Sequence, residues 1–319
     1  MLDSPDWPSA YEQYRGGLIV MRPFNATKAT VQQVKRDLDA TVLMYWDSTD
    51  MQVTTPGECA PHAPKRDCDP SGPQQWTHCA SGAVACCQSY NCSAFTAPTC
   101  PPDAFSRAAE RVASPAWAIR RLPADGGAPI PVCWYGFGPM HVHTAASNAA
   151  LVPFLAGWVR DHGFDGIYLD EYFQTFRYDL YLAGYPAGTL FDATGDGRAD
   201  TAAAMESSYL KFRPLFTKGL RAALGPDAIM VANTITAVDP SLNGLTIEAC
   251  DEESVCAAKF AAQAKVAHAP MVSVMWLKGS SPNECSNAAS LRARFPFLLE
   301  GTDFYDGTHV VCNHTTTWD

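Results

Sequence analysis

Three carboxylates stand where they could do chemistry. Asp170 and Glu171 close the run Gly163-Phe-Asp-Gly-Ile-Tyr-Leu-Asp-Glu-Tyr172, and Glu248 stands near the end of Gly244-Leu-Thr-Ile-Glu-Ala-Cys250. Each run is a short apolar stretch that ends in acid, the pattern of a buried strand surfacing at its C-terminal end. Successive strand residues alternate between two faces. Gly166, Tyr168 and Asp170 therefore share one face, opposite Ile167 and Leu169; Thr246 and Glu248 share one face, opposite Leu245 and Ile247. Two carboxylates facing one cleft are what glycoside hydrolysis requires. One attacks the sugar or holds the water, and the other protonates the leaving oxygen. Glu171, at the rim, is a third catalytic candidate. The plain alternative is that such acids cap the next helix. A matched register favours the functional reading, because strand C-termini in a parallel barrel face its active site.

Other strand ends supply a lining for a sugar. Trp46, Asp47, Trp134, Tyr135, Tyr172, Asn233, Trp276, Phe304, Tyr305 and Asp306 all lie at or just past such ends. Aromatic faces stack on apolar sugar surfaces, and acids or amides bind hydroxyls. For any single aromatic, a core position is the competing reading. Two weaker patterns concern metals. Asp192, Thr194, Asp196 and Asp200 fall at positions one, three, five and nine of a calcium loop, with Gly197 at six. Position twelve is Ala203 in place of a bidentate Glu, so an acidic turn with Asp200 as N-cap competes with structural calcium. His141 and His143 form a pair suited to a metal-dependent hydrolase, without a third ligand close in sequence. There is no Gly-x-Ser-x-Gly elbow, which argues against an esterase of the α/β-hydrolase type.

The elements that must hold these residues alternate. Strands are expected at Gly17–Arg22, Thr41–Asp47, Ile130–Tyr135, Gly166–Asp170, Ala228–Asn233, Gly244–Cys250, Pro270–Trp276 and Thr302–Tyr305. Helices are expected near Thr27–Leu38, Ala104–Arg121, Asn148–Asp161, Ala202–Leu224, Glu253–Val266 and Ser286–Leu299. Strand–helix alternation implies an α/β fold with parallel strands. The count predicts a single (β/α)8 TIM barrel over residues 1–319, with the last helix missing or replaced. An open doubly wound sheet is the second choice, but no Gly-x-Gly-x-x-Gly follows the first strand.

Composition narrows the setting. The chain has 319 residues, net charge −10 and no apolar run long enough to span a bilayer, so neither nucleic acid nor membrane is expected as a partner. Seven of the twelve cysteines fall between Cys59 and Cys100, without a Cys-x-x-Cys. That reads as a disulfide-stapled insertion over 48–101, after the second strand. The sequons at Asn25, Asn91 and Asn313 agree with a secreted glycoprotein. The N-terminus, Met-Leu-Asp-Ser-Pro-Asp-Trp, is not a signal peptide.

Gly-Phe-Asp-Gly-Ile-Tyr-Leu-Asp, with a later strand ending in Glu248, resembles the TIM-barrel glycoside hydrolases related to endo-α-1,4-polygalactosaminidase and its neighbouring glycosyl hydrolase families. The likeness covers roughly 17–50 and 129–306 and leaves out the Cys-rich insertion. It implies a hydrolase of poly- or oligosaccharides; the cysteines and sequons make secretion the expectation, and two-carboxylate chemistry needs no organic cofactor. It also implies that Asp170 is the nucleophile or charge stabiliser and Glu248 the general acid/base. A monomer is expected. The competing classes are a barrel that binds carbohydrate without turnover and the metal-dependent hydrolase above.

Overall fold

A computed structural model describes residues 15–23, 26–48, 104–112, 117–124, 126–127, 129–132, 141–176, 182, 185, 188–233, 238–248, 253–277 and 303–306. Its strands are β1 (Leu18–Met21), β2 (Thr41–Asp47), β3 (Arg120–Leu122), β4 (Ile130–Pro131), β5 (Gly166–Asp170), β6 (Leu190–Asp192), β7 (Ile229–Asn233), β8 (Gly244–Glu248), β9 (Val272–Leu277) and β10 (Asp303–Asp306). Its helices are α1 (Lys28–Leu38), α2 (Ala104–Val112), α3 (Ala145–His162), α4 (Ala202–Leu224) and α5 (Glu253–Ala264). The chain divides into two compact units. The first is Met1–Trp46, Leu155–Gln174 and Thr217–Asp319; the second is Asp47–Phe154 and Thr175–Phe216.

A seven-stranded sheet in the order β1-β2-β5-β7-β8-β9-β10 builds the first unit. Parallel pairing is seen for β1–β2, β5–β7, β7–β8, β8–β9 and β9–β10. The order follows the chain without reversal, unlike a doubly wound sheet, whose order turns back at a switch point. One face carries Val42, Met44, Trp46, Ile167, Leu169, Met230, Ala232 and Leu245, all essentially without exposure. The other carries Leu43, Val231 and Val272, packed with Leu18, Tyr168 and Ile229. Toward the strand C-termini this second face turns polar, with Tyr45, Asp170, Asn233 and Thr246. The parallel α/β expectation is therefore met, and the alternation expected for β5 holds.

Local chemistry explains the elements that frame β5. Helix α1 buries Val31, Val34 and Leu38, a spacing of three and four residues that makes one stripe. Thr27 caps it by accepting from the Thr30 amide at 3.1 Å, and Asp39 ends it at φ 48°. Helix α3 ends at Gly163, whose φ of 76° suits a residue without a Cβ. Asp165 then ties three elements together. Its Oδ1 pairs with Lys35 Nζ at 2.5 Å and its Oδ2 accepts from the Val42 amide at 2.9 Å. Its backbone bonds Val42 O and the Ile229 amide. The aspartate that precedes Gly166 is thus a structural anchor at the N-terminal edge, opposite the end where Asp170 stands.

The second unit holds an antiparallel sheet in the order β4-β3-β6, and here two expectations are corrected. The helix expected over Ala104–Arg121 ends at Val112, and Arg120–Leu122 is a strand. The strand expected at Ile130–Tyr135 is not a member of the parallel sheet among the described residues: β4 pairs with β3, and β2 neighbours β5 directly. The intervening Pro123-Ala-Asp-Gly126-Gly-Ala-Pro129 is a turn sequence, and it folds the chain back as a hairpin in place of a β/α unit. Residues 49–101 of the expected insertion and the helix expected over Ser286–Leu299 lie outside the described residues, as do Trp134 and Tyr135.

Candidate active site

Asp170 ends β5 with its carboxylate held by three donors. Tyr45, on neighbouring β2, donates its hydroxyl to Oδ2 at 2.6 Å. Asn233, ending β7, donates Nδ2 to Oδ1 at 2.9 Å. The Glu171 amide adds a bond to Oδ1 at 3.0 Å. Three strands thus converge on one carboxylate at their C-terminal ends. A carboxylate so held presents a fixed oxygen edge, suited to attack on an electrophilic carbon or to stabilisation of positive charge.

The surroundings fix these groups further. The Tyr45 ring stacks against Tyr168 with centroids 6.1 Å apart and 20° between planes, and the Arg22 guanidinium lies 5.3 Å from the Tyr45 ring centre. Thr246 is the register partner of Asn233; it is 3% exposed, and its hydroxyl has no hydrogen-bond partner among the described residues. Glu248 lies two residues beyond Thr246 on the same strand and pairs in register with Trp276. Tyr305 is in turn the register partner of Trp276, and Asp306 of Leu277. The side chains of Glu248, Trp276, Tyr305 and Asp306 lie outside what the structure describes.

Several residues expected at this mouth have other places. Glu171 is half-buried with φ 55°, an uncommon conformation for a residue with a Cβ. That left-handed residue breaks the strand alternation. Tyr172 consequently enters the core with no exposure, donating its hydroxyl to Asp239 Oδ2 at 2.7 Å. Thr217 donates to the same oxygen at 2.6 Å. Tyr172 is therefore a core residue and not a sugar platform. Trp46 also has no exposure, because it alternates to the apolar face away from Tyr45. Asp47 is buried, 3% exposed, and belongs to the second unit. Tyr45 was not singled out in the sequence; counting strand parity along Thr41, Leu43 and Tyr45 was the signal that finds it.

The metal candidates belong to the second unit. Asp192 Oδ1 accepts from the Thr194 and Gly195 amides at 3.1 and 2.6 Å, and Oδ2 from Gly197 at 2.9 Å. Asp200 Oδ2 accepts from Ala193 and Thr194 at 2.8 and 3.0 Å. Asp196 accepts from the Arg198 amide at 2.9 Å. These acids brace the loop's own backbone, and Thr201 Oγ1, not Asp200, caps helix α4 through the Ala204 amide at 3.1 Å. His141 and His143 have no exposure, and their rings meet edge-on at 5.3 Å. Asn148 Nδ2 donates to Phe212 O at 2.8 Å, which turns its Oδ1 toward His143 Nδ1 at 3.1 Å. The His143 proton is thereby assigned to Nδ1. Burial pushes the His141 ring down to about 4. It pushes His143 down to about 3, helped by the nearby His141 and Arg213 charges. No group of three His, Cys, Asp or Glu among the described residues is placed to hold a metal ion.

No family model matches the chain, and no curated protein matches it. No helix among the described residues is long and apolar enough to cross a membrane.

Proposed function

We propose that this protein is a secreted glycoside hydrolase that cleaves poly- or oligosaccharides with the carboxylates of Asp170 and Glu248. The observation that carries the reading is the Asp170 carboxylate, held by donors from β2 and β7 and from its own turn at the C-terminal ends of parallel strands. The chain-ordered parallel sheet supports a barrel of the (β/α)8 type, in which that end is the active-site end. Asp170 acts as nucleophile or as the charge that stabilises an oxocarbenium-like transition state. Glu248 gives its proton to the leaving glycosidic oxygen and then takes one from water. A carboxyl separation of roughly 5 Å would make the enzyme retaining, and one of roughly 6.5–9.5 Å inverting. The aromatic pair Tyr45–Tyr168 and the amide of Asn233 offer stacking and hydroxyl contacts.

The test is reducing-end release from a panel of polysaccharides that includes an α-1,4-linked galactosamine polymer. Asp170→Asn and Glu248→Gln are each expected to lower turnover by about 100-fold or more, the scale of a lost acid, base or nucleophile. Near-wild-type turnover in both variants overturns the pair. Saturable binding by the wild type without product release would make the protein a carbohydrate-binding barrel.

A further inference from the structure

We infer that Tyr45 is a positioning residue for hydrolysis, which sets the orientation of Asp170 through its hydroxyl; the inference rests on the reading of Asp170 as a catalytic carboxylate. Asp170 Oδ1 is fixed by two donors, Asn233 Nδ2 and the Glu171 amide. Oδ2 is fixed by Tyr45 alone among the hydrogen bonds described, at 2.6 Å. Oδ2 is therefore the oxygen left with room for a reacting carbon or a water, and Tyr45 is the group that aims it. A phenol at that distance from a carboxylate makes a short, charge-assisted bond, stronger than a neutral pair. The ring that carries the hydroxyl is itself held, by Tyr168 stacked beside it and by the Arg22 cation 5.3 Å from its centre. The donor thus arrives preorganised, so little reorganisation is needed as charge is redistributed at Asp170 during reaction. Losing it lets Oδ2 rotate away from the orientation that the phenol sets.

Tyr45→Phe deletes the hydroxyl and keeps the stacked ring. On whichever member of the panel the wild type cleaves, kcat is expected to fall about 10- to 100-fold, the value of one hydrogen bond to a charged group. KM should stay within about two-fold, because the lost bond is to the enzyme's own carboxylate and not to substrate. In the Asp170→Asn background the same change should add no further loss, because Tyr45 acts only through that carboxylate. A kcat unchanged by Tyr45→Phe, with Asp170→Asn inactive, overturns the inference and leaves the catalytic reading standing. Full turnover by Asp170→Asn removes the catalytic reading first, and the positioning role with it. One measurement needs no substrate: the short bond should give a downfield exchangeable proton resonance. It should vanish in both Tyr45→Phe and Asp170→Asn, and its persistence in either variant also overturns the inference.

Discussion

His141 and His143 enter the folded protein as neutral rings, and that choice has a cost in acid. Unfolded, each takes up a proton near pH 6.5; folded, they do so only near 4 and 3. The folded values are depressed, so the stability they contribute is complete above about pH 6.5. It drains away as pH falls from there toward 4 and 3. At pH 5 the loss is about 2 kcal/mol per histidine, reading each 1.36 kcal/mol as one pH unit below 6.5. Urea denaturation at pH 7.5 and pH 5 should show this drop, and His141→Phe should shrink it. A midpoint that holds or rises on acidification would contradict the burial of both rings. The same scale explains what was legible at the site. Parity along Gly166-Ile-Tyr-Leu-Asp170 placed Asp170 correctly, because alternation is a property of any strand. Tyr172 escaped that logic, since the left-handed turn at Glu171 reverses the side on which the next side chain emerges. Nothing in Asp-Glu-Tyr announces such a turn, which non-glycine residues seldom adopt.

Among the elements, the parallel sheet carries two glycines that no other residue can replace cheaply. A Cβ on Gly166 would strike the Ile229 carbonyl, and one on Gly244 the Val272 carbonyl, each belonging to the paired strand. Backbone in a hydrogen-bonded ladder has little freedom to yield. Gly244→Ala is expected to lower stability by about 1–3 kcal/mol or more, the range of overpacked interiors. Gly157 in helix α3 is the control, because a Cβ there meets nothing within 4 Å. Gly157→Ala should raise stability by about 0.5–1 kcal/mol through helix propensity. Equal effects of the two changes on the thermal midpoint would refute the close approach of β8 and β9. Most of these elements were readable from short apolar runs punctuated by glycine and acid. The third strand was not. Ile130-Pro-Val has the composition of a core strand, while the Pro–Gly-rich stretch before it dictates a hairpin. Apolar content announces that a segment is extended, and only its turn announces which partner it takes.

For the whole molecule, the cysteine content makes a prediction about oxidation state. Twelve cysteines, seven of them within 59–100, should be paired in protein secreted from an oxidising compartment. Thiol titration of the denatured, unreduced protein should then find essentially none, and reduction should release them all. Reduction should also lower stability by about 2–5 kcal/mol for each bridge that closes a native loop. Free thiols throughout would remove the argument for secretion. The order of the parallel sheet has a separate consequence for how the chain is made. Strands β8 to β10 each find their partner in the strand just delivered, whereas β2 pairs on its other side with a strand that begins only at Gly166. A ribosome therefore releases a two-stranded ribbon, β1 with β2, long before anything exists to cover its open side. In that interval its unpaired backbone is a template for the same ribbon of a neighbouring nascent chain. Yield during synthesis is therefore expected to fall when delivery of Gly166–Asp170 is slowed.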